Sequence, residues 1–178
     1  EMSRAPHTGM TRYDKGLKPI PAAALSTIDA AQLARLVALG PTKVRVAIDV
    51  GFDVEYTSHN VIGQITGHGK PDEVVLIGGH LDSWDLGTGA IDDAAGVGIT
   101  MAAGHLIGKL KQAPRRTIRV ALWSGEEQGL IGSQDYVSRT FARYPEPTDP
   151  AQKALPASLR EPTGALQKMR DYDRFSAY

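Results

Sequence analysis

Between Glu73 and Gly79 the chain runs Val74-Val75-Leu76-Ile77 without a polar break, and between Thr117 and Trp123 it places Ile118, Val120, Ala121 and Leu122. Apolar runs of this length, bounded by polar residues, predict strands buried in a sheet. The stretch from Asp93 to Leu110 spaces Ile99, Ala102, Leu106 and Leu110 near the helical period. It carries acidic residues at its start and Lys109 and Lys111 at its end, the signs that suit a helix dipole. Strand, helix and strand in that order predict a right-handed crossover between parallel neighbours, and so an α/β fold. Two more strands are expected, one where Val44, Val46, Ile48 and Val50 alternate and one around Val61, Ile62 and Ile65. Ser26 heads a short helix over Thr27–Leu39 with Ile28, Leu33 and Leu36 as its apolar stripe. Another helix is expected over Gln128–Phe141, and Leu166–Tyr178 reads as helix or turn.

Composition narrows the class. With 178 residues and 42% hydrophobic content the chain can bury one core, as one domain or one plus a piece. Lys plus Arg equals Asp plus Glu at 20 each, so no global field favours nucleic acid or an anionic membrane surface. No run approaches the ~18 apolar residues of a bilayer span, and the first residues lack the apolar stretch of a signal peptide. Zero cysteines exclude disulfides and thiolate ligands, which leaves His, Asp and Glu as the strong metal donors. Residues 1–43 are loop-rich and punctuated by proline, like an unfinished module ahead of a main domain over 44–178.

Parallel strands joined by a crossover bring their carboxyl ends to one sheet edge, where open α/β folds place their sites. The first strand runs out into His80-Leu81-Asp82, and the second into Ser124-Gly125-Glu126-Glu127. The loop before the helix adds Asp92-Asp93. Singly, His80 reads as a structural histidine, Asp92 as a helix cap and Glu126-Glu127 as a solvated pair. Together at one edge they read as a metal site. Zinc takes imidazole nitrogen and carboxylate oxygen, with further carboxylates orienting the ring, which suits His80 and Asp82. Asp92 has two oxygens with which to bridge two ions, while Asp93 can cap the helix. Of Glu126 and Glu127, one can bind metal and the other take a proton from an activated water. His7 and His68 lie in loops, His59 precedes a strand and His105 lies mid-helix, where surface or packing roles fit better. The chain has no phosphate-binding Gly-x-x-x-x-Gly-Lys loop, no complete dinucleotide fingerprint and no Gly-x-Ser-x-Gly elbow. Metal-assisted hydrolysis is the chemistry that is left.

The string Val75 to Asp93, with Gly-Gly-His80-Leu-Asp82-Ser-Trp-Asp at its centre and Asp92-Asp93 at its end, resembles the zinc aminopeptidase and glutamate carboxypeptidase family, nearest its carboxypeptidase Q type. A second string, Leu122-Trp123-Ser124-Gly125-Glu126-Glu127-Gln128-Gly129-Leu130, follows in register. The resemblance covers about residues 57 to 141. It implies a mixed sheet flanked by helices, incomplete in this chain, and two zinc ions. It makes His80 a ligand of one ion, Asp92 the bridge, Glu127 a ligand of the other, Glu126 the general base and Asp82 the residue that orients the histidine. It also implies a cis peptide between Asp92 and Asp93. Residues 1–43 resemble the tail of a protease-associated insert. One more acidic ligand and a second histidine are implied beyond the double glutamate, with Asp171 and Asp173 candidates by type only. The expected activity is exopeptidase cleavage of peptides or dipeptides by the intact protein, the chain alone binding zinc poorly and lacking activity. A metal-free binding module is the rival reading, and a glutaminyl cyclase is a poorer fit. A secreted or periplasmic location is implied by the resemblance only, and a homo-oligomer stays open.

Overall fold

Ser26 has the side chain that a helix start requires. In a computed structural model, which describes residues 6, 16–18, 20–49, 55–155 and 157–178, helix α1 spans Thr27–Leu39. Ser26 Oγ accepts the Asp29 N–H at 3.1 Å and donates to Asp29 Oδ2 at 2.6 Å, which satisfies one of the unpaired amides of the first turn. Helix α1 belongs to a unit within residues 1–57 and 84–88. No strand forms over the described residues 43–49, where Val44, Val46 and Ile48 are exposed. Alternation makes a strand only where a neighbour takes its backbone groups, and no described segment pairs with this one. Val50 and His7 lie outside the described residues.

The second unit comprises residues 58–83 and 89–178. Its sheet is built from strand β1 (Val61–Ile65), strand β2 (Lys70–His80), strand β3 (Arg116–Trp123) and, last in the chain, Phe175–Ala177. Helix α2 (Gly96–Gly108) makes the crossover from β2 to β3, and these two strands are parallel as the pattern predicts. Strand β1 pairs antiparallel to β3, so the sheet is mixed. The helix begins later than the periodicity indicates, because Ala90–Ala95 form an irregular wide turn that includes the cis Asp92–Asp93 peptide. Helix α3 (Ile131–Thr140) likewise starts after Gln128, since residues 126–130 turn back on themselves.

Val74, Leu76, Ala121, Leu122, Trp123 and Phe141 form the buried apolar set. All but Phe141, which ends α3, lie on β2 and β3, the strands that carry the two apolar stretches. After α3 come strand β4 (Ala142–Arg143), the short helix α4 (Pro150–Lys153) and strand β5 (Gln167–Lys168), which pairs with β4, and then strand β6 (Phe175–Ala177). Strand β6 lies parallel to β2, with Val74 opposite Phe175 and Val75 opposite Ala177. The helix or turn expected at the chain end is therefore partly strand. Local pattern is weak there, and the outcome is set by Phe175 packing on Phe141 at 5.1 Å between ring centroids. Among the described residues no helix is long and apolar enough to cross a membrane.

Thr117 is 2% exposed and uses both faces of its hydroxyl, donating to the Pro71 carbonyl at 2.7 Å and accepting the Gly67 N–H at 3.1 Å. Thr117→Val keeps the shape and leaves both backbone groups unpaired, so stability should fall by about 2–4 kcal/mol. Urea unfolding checks this, and an unchanged midpoint would show that water replaces the hydroxyl at no cost.

Candidate active site

The register of β2 against β3 places His80 opposite Trp123, and the Leu81 N–H extends the pairing to the Trp123 carbonyl at 2.7 Å. Both strands therefore run out at the same edge, and the residues that follow them meet. Asp82 makes the joint. Its Oδ1 accepts the Glu126 N–H and its Oδ2 the Glu127 N–H, each at 3.0 Å. A carboxylate that accepts two backbone amides forms strong, directional, charge-assisted bonds. Asp82 thus fastens the double-glutamate loop to the end of β2.

His80, 9% exposed, is held on both ring nitrogens. Nδ1 lies 3.0 Å from the Asp82 carbonyl oxygen and 3.6 Å from Asp82 Oδ1. A carbonyl can only accept, so Nδ1 carries a proton and Nε2 holds the lone pair of the neutral ring. Nε2 faces Asp92 Oδ1 at 2.8 Å and Glu126 Oε2 at 3.8 Å. A neutral ring would set its lone pair against carboxylate oxygen, so the arrangement calls for a proton on Nε2 or for a cation there. The expected role of Asp82 toward the ring is met mainly through its backbone carbonyl, while its carboxylate serves the glutamates.

Asp93 does not cap the helix with its side chain, contrary to the expectation. Its Oδ2 accepts the His80 N–H at 3.0 Å. The carboxylate sits so close to Gly96 that a Cβ on that residue would overlap it. Sequence reasoning passed over this role because an acidic residue at a helix start reads as a cap. It also passed over Asn60, whose amide reaches the double-glutamate loop and for which no local signal exists.

The electrostatics follow from one imidazole among several carboxylates. Burial opposes protonation of His80, but the hydrogen bond to Asp92, the charge on Glu126 and the carbonyl and charge of Asp82 outweigh it, and the pKa is raised. Burial raises the Glu126 pKa. His80 pulls it down, the charges on Glu127, Asp82 and Asp92 push it up, and the net shift is upward.

Of the residues singled out from sequence, His80, Asp82, Asp92 and Glu126 come together, and Glu127 joins them through its backbone. Among the described residues no group of three or more His, Asp or Glu is arranged to hold a metal ion. Asp171 is withdrawn from such a role. It is 4% exposed and paired with Arg170 at 3.1 Å and Arg174 at 3.4 Å. Burial pushes its carboxyl up, but the two arginines outweigh this and hold the pKa below the ordinary value. Asp173 is exposed, 3.5 Å from Lys168. His59 and His105 are exposed, and His68 donates its backbone N–H to the Pro114 carbonyl. A cavity of about 870 Å³ opens beside His80 and Glu126, walled by Leu76, Trp123, Val137 and Phe175.

Residues 60–155 match the family described as peptidase family M28. Carboxypeptidase Q of Mus musculus is 41% identical over 134 residues, which cover 74% of this chain and 28% of that protein. Carboxypeptidase Q of Bos taurus is 42% identical over the same coverage. A crystal structure of a peptidase M28 precursor from Shewanella amazonensis superposes with a TM-score of 0.63 at 44% identity, over 78% of this chain and 31% of that one. The chain thus spans less than a third of the length of these relatives.

The raised His80 pKa carries a pH signature. The folded state binds this proton more tightly, so the pair's stabilisation is complete below the unfolded-state histidine pKa and lost as pH rises through the folded value. In the metal-free protein the melting temperature should fall slightly across that window above the ordinary histidine range, and His80→Gln should abolish the fall. The amplitude is small because the Asp92 side chain is 76% exposed. Melting curves at a series of pH values check this, and a pH-independent difference between wild type and variant would exclude titration of the pair there.

Proposed function

The chain belongs to peptidase family M28, and from that premise we propose that the intact protein is a zinc-dependent exopeptidase acting on peptides or dipeptides. The observation that carries this reading is the pairing of His80 Nε2 with Asp92 Oδ1 at 2.8 Å, with Glu126 Oε2 at 3.8 Å, at an edge where Asp82 fastens both loops. The donor types suit zinc, although among the described residues no three of them are gathered around one point. With Nδ1 committed to the Asp82 carbonyl, the ring's remaining nitrogen points at a carboxylate, where a cation relieves the contact of lone pairs.

In this reading His80, Asp92 and Glu127 would hold the metal, and zinc bound there would supply Lewis acidity to the scissile carbonyl and to a water molecule. Glu126 would take a proton from a water molecule as the water oxygen bonds to the carbonyl carbon; the C–N bond would then break, and Glu126 would return the proton to the departing amine. Its raised pKa suits a group that must both accept and release a proton near neutral pH. Asp82 keeps Glu126 and Glu127 in register with His80, and Asp93 keeps the His80 backbone in place. Residues 44–178 would form the first part of the catalytic domain and residues 1–43 the end of an inserted module.

Glu126→Gln in the intact protein should lower turnover of a dipeptide by about 10²–10⁴-fold while bound zinc stays nearly constant. Glu127→Gln should instead lower zinc content. Elemental analysis beside a hydrolysis assay separates the two, and the opposite pattern would reverse the roles within the pair. An intact protein that neither binds zinc nor cleaves peptides would favour the binding-module reading.

A further inference from the structure

We infer that Asn60 is a positioning residue for the double-glutamate loop, clamping its two ends from the side of β3 opposite β2. The loop that carries Glu126 and Glu127 leaves β3 at Ser124 and enters α3 near Gly132. It reverses direction through three residues of positive φ, Gly125 at 67°, Gly129 at 119° and Leu130 at 60°. Such a turn needs tethers from outside itself to keep one shape.

Asn60 immediately precedes β1, the antiparallel neighbour of β3. Its Oδ1 accepts the Ser124 N–H at 3.0 Å, and its Nδ2 donates to the Gly132 carbonyl at 2.8 Å. The Gly132 N–H closes the mouth of the loop on the Ser124 carbonyl at 2.9 Å. A short side chain that accepts at one end and donates at the other is an asparagine; aspartate lacks the donor and leucine lacks both. Gly132 is required by the same contact, since a Cβ there would overlap Asn60 Oδ1 and the Ser124 carbonyl oxygen.

The loop is therefore held at its ends by Asn60, from the β1 side, and at its centre by Asp82, from the β2 side. Without the Asn60 tether the β1 side keeps only the Ser124 Oγ bond to Ser58 Oγ at 2.5 Å, and the Gly132 end of the loop loses its hold from that side. A displacement of ~1 Å at a proton-transferring group costs on the order of 10²-fold in rate.

The effect on turnover rests on the peptidase reading, whereas the clamp itself does not. In the intact protein, Asn60→Ala should speed hydrogen exchange of the amides over 124–132 by about tenfold or more, with β2 and β3 unchanged. On a dipeptide, kcat should fall by about 10²-fold, with KM and bound zinc within about twofold of wild type. Should this variant fail to fold, Asn60→Asp, which keeps the acceptor for Ser124, carries the same comparison with a loss of about tenfold. Unchanged loop exchange would overturn the clamp. Faster exchange with unchanged kcat, or zinc lost in step with kcat, would overturn the positioning role. A wild-type protein that cleaves no peptide would overturn the peptidase reading alone, and the exchange measurement would still decide the clamp.

Discussion

The Asp82 carboxylate, accepting the amides of Glu126 and Glu127 at 3.0 Å each, is the interaction on which the site depends. Parallel pairing alone delivers two strand ends to one edge, but strand ends are followed by loops, and loops wander. A carboxylate aimed at two successive backbone N–H groups removes that freedom, because both bonds are satisfied only in one orientation of the turn. The same residue offers its carbonyl to His80 Nδ1 and so decides which ring nitrogen is free. Geometry of the glutamates and tautomer of the histidine are set by one side chain and its own peptide group.

Charge at this edge is unbalanced by design of the contacts. Asp82, Asp92 and Glu126 all lie within 4 Å of the His80 ring nitrogens. In the protein without metal a proton on the imidazole answers part of that field, and the upward shift of Glu126 answers another part. Under the proposed function, a cation with nitrogen and oxygen donors would answer the field more completely.

The segment after α3 shows a different economy. Asp171 lies buried between Arg170 and Arg174, and Arg174 Nε also reaches the Asp72 carbonyl at 3.0 Å. Trp123, Tyr136, Phe141 and Phe175 follow one another with centroid separations of 5.3, 5.9 and 5.1 Å. These contacts seat β6 beside β2 although it shares only two residue pairs with it. An acidic residue that looks like a ligand by type is here part of the packing.

The sequence by itself determined the crossover from β2 through α2 to β3, because short, β-branched apolar stretches with polar flanks suit buried strands and the helical period between them suits a helix that covers the sheet. From that crossover it followed that His80, Asp82, Asp92 and Glu126 stand at one edge. The start of α1 at Ser26 was legible for the same reason, its cap being a contact three residues long. What lay beyond local pattern was decided by tertiary structure. Val44, Val46 and Ile48 alternate like a strand yet find no partner to pair with, whereas Phe175–Ala177 has little strand pattern and becomes one against β2. Asp93 looked like a cap and instead holds the His80 backbone. Asn60 falls inside the stretch of family resemblance, but its role could not be read from its neighbours, since its two partners lie 64 and 72 residues away. Periodicity and capping act over a few residues and can be read from neighbours in the chain, while a hydrogen bond across the sheet exists only once the strands between have paired.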